Sequence, residues 1–160
     1  MLKDERIPVT ASGINEPPLL RACKEIRDEA LPIYYAENSF AIHVTSYNSD
    51  VVLNFERRER CKILRRHNIS CKFELLLVGS VNWQNLREWL KRLHARELVI
   101  GIASEKETLP FGAHGIKARI HIIGSMFRLA FKTQSLPWED VDALLEDQHK
   151  MLAMLNARWH

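Results

Sequence analysis

From Ile69 to Val78 the chain reads Ile-Ser-Cys-Lys-Phe-Glu-Leu-Leu-Leu-Val, and its last four residues are an unbroken apolar run. A strand open to water on one face alternates apolar and polar residues. A strand with consecutive apolar residues has the pattern of one buried on both faces. Such a strand needs other elements to cover it, and the rest of the chain carries helical periodicity. Leu19, Leu20, Cys23, Ile26 and Ala30 recur at spacings of three and four, with Arg21, Lys24, Glu25, Asp28 and Glu29 between them, which predicts an amphipathic helix after Pro17-Pro18. Pro32 lacks an amide hydrogen and is expected to kink or end that helix. Ile33, Tyr34 and Tyr35 extend its apolar surface, and Asn38 is read as a turn residue.

The β-branched, partly alternating stretch Ser39–Thr45 reads as a strand. Ser46 to Asp50 offers turn and capping chemistry, and Val51, Val52 and Phe55 open a second helix expected to run in broken form to about Arg66. A third helix over Asn82–Ala95 places Leu86, Trp89, Leu90 and Leu93 on one face. Leu98–Ile102 reads as a short strand and Glu105–Gly115 as a loop. Ile116–Phe131 reads as a helix with Ile116, Ile120, Ile123, Phe127 and Phe131 on one face, and a strand as the alternative for its first residues. Ser135 is the expected N-cap of the last helix, with Pro137 in its first turn and Glu139 and Asp140 complementing its dipole. Val141, Leu144, Leu145, Met151, Leu152, Leu155 and Trp159 make its apolar side. The fold expected is α+β, three to five helices packed on a small sheet of two to four strands. Residues 1–16, polar and without a period, are expected as a flexible arm ahead of a single domain over 17–160.

The 160 residues are 46% hydrophobic and 27% charged, an ordinary globular composition that needs no disulfide or metal for a core. Cys23, Cys61 and Cys71 are odd in number and lie in no C-x-x-C pair, which favours a reducing compartment. The charged start, Met-Leu-Lys-Asp-Glu-Arg, has no apolar core of a secretory signal, and no run is long and apolar enough for a membrane span. The expected location is cytoplasmic or nuclear, with no membrane association.

Leu19, Leu20, Cys23, Lys24, Ile26, Glu29, Ala30, Leu31, Pro32, Tyr34, Tyr35, Asn38 and Phe40 resemble a pattern shared by a large set of uncharacterised proteins from filamentous fungi. In these a leucine pair and a cysteine lead to glutamate-alanine-leucine-proline, an aromatic pair and asparagine-x-phenylalanine. The resemblance covers 22 of the 160 residues. Some members carry an F-box-like leucine-proline segment just upstream, which implies an adaptor in a ubiquitin ligase; residues 1–16 here contain no such segment. The resemblance implies no catalytic activity.

Chemistry-bearing patterns are few. The seven histidines have neither His-x-x-x-His spacing nor a C-x-x-C partner, so no metal site is expected. No Gly-x-Ser-x-Gly elbow or phosphate-cradling glycine loop occurs, so neither a catalytic site nor a cofactor is expected. The formal charge of +3 is modest, but Phe55–Arg66 gathers Arg57, Arg58, Arg60, Lys62, Arg65 and Arg66 against Glu56 and Glu59. That run is the candidate nucleic-acid-binding patch. Its plainer reading is a solvated helix face with Glu–Arg pairs at intrahelical spacing. Of the four tryptophans, Trp89 is assigned to the core, and Trp138 and Trp159 are the candidate exposed interface anchors. The leading expectation is therefore a non-catalytic module with a protein partner, and the alternative is a nucleic-acid-binding domain using residues 57–66.

Overall fold

A computed structural model describes residues 6–10, 13–57, 71–101 and 114–159, with side chains of the helix that begins at His114 described from residue 118 onward. The described residues form an α+β fold with five α-helices and a four-stranded mixed sheet. They gather into two compact units. The first is Met1–Thr45 with Asp50–Val78, and the second is Ser46–Ser49 with Gly79–His160.

The first unit holds the sheet, made of β1 (Ile7–Thr10), β2 (Gly13–Ile14), β3 (Ser39–Thr45) and β4 (Lys72–Val78), in the order β2-β1-β3-β4. β1 and β2 are antiparallel, while β1 with β3 and β3 with β4 are parallel. Each parallel step is bridged by a helix, α1 (Lys24–Glu37) before β3 and α2 (Asp50–Arg57) before β4, as a parallel connection requires. The segment expected as a loose arm thus contributes two strands. Val9 is buried and registers with Ile42, so an isolated β-branched residue found a partner that no local period announces.

The helical face of the sheet is apolar. Phe40, Ile42 and Val44 of β3 register with Phe73, Leu75 and Leu77 of β4. Tyr35 stacks on Phe40 at 5.0 Å, and Phe55 of α2 lies 6.5 Å from Phe73. Two residues near the end of α1 make polar contacts that hold it in place. The Tyr35 hydroxyl donates to the buried carboxylate of Glu16 at 3.0 Å. Asn38 Nδ2 donates to the Tyr34 carbonyl at 2.8 Å and so closes the end of α1.

Three expectations are corrected in this unit. Of the two outcomes expected at Pro32, a kink or an end, the end does not occur: α1 runs through it to Glu37. Of the expected stripe and its extension, Leu20, in a 3₁₀ turn over Pro18–Arg21, and Tyr35 are buried, together with Leu31, while Leu19, Cys23, Ile26 and Ile33 are exposed. β4 is not buried on both faces. Among the described strands it lies at the edge, and every one of its residues is exposed or half-buried.

The second unit is helical, with α3 (Trp83–His94), α4 (His114–Lys132) and α5 (Trp138–Leu155). Trp89, Leu90, Leu93, Met126, Phe127, Val141, Leu145 and Leu152 are buried, and Trp89 meets Phe127 edge-on at 5.2 Å. Asn82 caps α3, its Oδ1 accepting from the Asn85 amide at 3.0 Å. Leu98–Gly101 forms no strand; it lies along α3, with the Ile100 carbonyl accepting from Trp89 Nε1 at 3.1 Å. Pro137, not Ser135, occupies the N-cap of α5, with Glu139 and Asp140 in the first turn.

Candidate interaction groove

α3 ends in a hydrogen-bonded reversal. Arg96 adopts φ 61°, its amide bonds to the Leu93 carbonyl at 3.1 Å, and the Glu97 amide reaches back to Arg92 at 2.9 Å. These two bonds are the paired contacts of a Schellman motif, here with arginine where glycine is usual. The reversal buries Leu98 and turns Val99 outward, 65% exposed. Gly101 then passes close to α4: a Cβ at this position would lie 2.9 Å from Phe127 Cδ1. That close approach, rather than any turn, is what demands glycine.

The result is an open groove of about 210 Å³ lined by Leu93, Val99, Gly101, Phe127, Arg128, Phe131 and Lys132. Its walls are apolar. Phe131 stands at the outer wall, 55% exposed, because it lies about 80° around the helix from Ile123. Arg128 and Lys132, four residues apart on the last turns of α4 and both exposed, add two positive charges at the rim. The sequence reading missed the groove by assigning Leu98–Ile102 to a strand. It also set Phe131 on one face with Ile123 and Phe127, which are buried, whereas Phe131 is exposed; its turn away from Ile123 could have marked the groove.

A polar seam joins α3 to α5 away from the groove. Arg87 grips Asp142 with two hydrogen bonds, Nε to Oδ1 at 2.7 Å and Nη2 to Oδ2, which holds the guanidinium above its ordinary range. Trp83 stacks flat on His149 at 4.1 Å and donates from Nε1 to Glu146 Oε1 at 3.1 Å. His149 Nε2 lies 2.6 Å from the Trp159 carbonyl. A carbonyl only accepts, so Nε2 carries a proton. Nδ1 faces Glu146 Oε2 at 3.3 Å. The seam fixes helix positions; it presents no nucleophile beside a base.

The candidate anchors part company. Trp159 is buried, with its ring 5.4 Å from that of Tyr47, so it is not an exposed anchor. Its position in a 3₁₀ turn beyond α5 folds it back onto the unit. Its Nε1 is buried without a partner among the described residues. Trp138 is half-buried and meets His94 edge-on at 5.5 Å. Of the basic patch, Arg57 is the exposed last residue of α2, while Arg58, Arg60, Lys62, Arg65 and Arg66 lie outside the described residues. Among the described residues no helix is long and apolar enough to cross a membrane, and no group of three His, Cys, Asp or Glu side chains could hold a metal ion. Comparison of the chain with protein-family models, with curated proteins and with solved structures gave no match.

Proposed function

We propose that the protein is a non-catalytic interaction module whose second unit holds a partner polypeptide by one bulky apolar side chain, with a carboxylate of the same segment beside Lys132. The observation that carries this reading is the groove itself, where Val99 and Phe131 stay exposed around an apolar floor that Gly101 keeps open. At about 210 Å³ it is smaller than the roughly 300–1,000 Å³ of ordinary ligand and cofactor sites. It suits a single anchor side chain of the kind that dominates protein interfaces. The resemblance of Leu19–Phe40 to fungal proteins, some of them F-box-like, supports the same class of function.

The test is quantitative capture of partners from lysate by the wild-type chain and by Val99→Asp and Phe131→Asp. Both positions are exposed, so the variants keep the fold. A specific partner retained by the wild type is expected to fall at least tenfold with each variant, about 1.4 kcal/mol. Equal capture by both folded variants would overturn the reading.

A further inference from the structure

The two edges of the sheet differ in kind. At one edge β2 is two residues long, too short to template another strand. At the other, β4 offers seven residues, and nothing among the described residues pairs with its outer side. Natural edges are usually guarded by lysine, proline, a bulge or short length. β4 carries Lys72 and Glu74, the latter ion-paired with Arg6, in its first half, and then Leu75-Leu76-Leu77-Val78 without a charge, a proline or a break in the ladder. Phe73, Leu77 and Val78 are 43%, 42% and 44% exposed. This is the composition of an inner strand in an edge position.

We propose that β4 pairs antiparallel with β4 of a second copy of this chain, joining two four-stranded sheets into one of eight strands. The strand is self-complementary for this purpose. A two-fold axis perpendicular to the sheet keeps both sets of helices on the same face, and only an axis through Leu75 pairs all seven residues, Lys72 through Val78. In that register Leu75 faces its own copy, and Phe73 faces Leu77. All three lie on the side that α2 covers, so the apolar face of one sheet continues into the next. On the other face Leu76 stands opposite Glu74, and Lys72 opposite Val78, so no like charges are directly opposed. The proposal concerns the first unit alone and is independent of the groove.

Light-scattering mass across a concentration series is the first measurement, with a mass of twice the 18.6 kDa chain expected. Leu76→Glu sets a carboxylate opposite Glu74 at two symmetric places and is expected to weaken dimerisation by about tenfold or more. Residue 76 is half-exposed, and circular dichroism checks that the variant keeps its fold. Register is tested by disulfide trapping in a background with Cys23, Cys61 and Cys71 replaced by serine. Leu75→Cys is expected to cross-link to itself. Leu77→Cys is not, since four residues of offset separate the two copies by about 13–14 Å, beyond disulfide reach. A single-chain mass at every concentration overturns the proposal, as does a dimer indifferent to Leu76→Glu, or trapping through residue 77 as efficient as through residue 75.

Discussion

Arg96 holds a left-handed backbone with a side chain that prefers not to be there. Its guanidinium Nε donates to Gln134 Oε1 at 3.1 Å, but that bond is exposed and worth little. Arg96→Gly removes the Cβ clash and gives the unfolded chain more freedom. The expected outcome is a neutral to stabilising change of up to about 1 kcal/mol, read from denaturant midpoints. Two phenols set a second expectation. Burial pushes Tyr47 above its ordinary range, with Arg119 opposing, and Tyr34 is raised by burial and by the charge of Glu16. A raised folded-state pKa means the native state holds its proton more tightly. The stabilisation is then complete below about pH 10 and lost as pH rises further. Melting temperature should fall above that pH, and a Tyr34→Phe, Tyr47→Phe pair should flatten the fall. An unchanged alkaline slope in the folded double variant would count against both assignments.

At the scale of elements, the helical periods of α3, α4 and α5 were readable, and Val141, Leu145 and Leu152 of α5 are buried as expected, but Leu144, Met151 and Leu155 of its expected apolar side, and Phe131 of α4, stay exposed. What periodicity could not show was where α1 begins and which side of it faces inward. Leu19 and Cys23 precede the helix and Ile26 in its first turn is exposed, while Leu31 and Tyr35 are buried, Tyr35 stacking on Phe40 of the sheet. The apolar run of β4 was readable as a strand but not as an edge, because strand order depends on crossovers rather than on local composition. The groove was hidden for a similar reason: α3 ends at Arg96 without the glycine that normally marks such a reversal. Pro32 remains as an interior helix proline with one backbone bond missing. Pro32→Ala restores it and should stabilise the protein by about 1–2 kcal/mol, measured as a rise in unfolding midpoint at constant slope. A loss of stability would mean that the proline ring itself packs where the alanine leaves space.

For the molecule as a whole, the second unit is discontinuous in sequence. Ser46–Ser49 lies between β3 and α2 in the chain but packs with residues after 78. Asn85 Nδ2 donates to the Ser46 carbonyl at 2.9 Å, Arg92 Nη1 donates to Ser49 Oγ at 3.1 Å, and Tyr47 meets Trp159. A fragment of residues 79–160 keeps every helix of the unit but none of these contacts. Amides of α3 should therefore exchange faster in the fragment than in the full chain, by a factor matching a loss of about 2–3 kcal/mol. Equal protection would show that the four residues contribute nothing to the unit.

The same borrowed segment bears on synthesis at the ribosome, where a chain emerges from its N-terminus at a finite rate. Everything the sheet unit needs has appeared by Val78, but the helical unit must wait for Trp159 before Tyr47 has its ring to rest on. Long-separated contacts form slowly because the intervening chain must first be closed into a loop. During that interval Tyr47 and its neighbours lack their final partners. The nascent protein thus carries an early, unsatisfied commitment at Tyr47 that only Trp159, more than a hundred residues later, discharges.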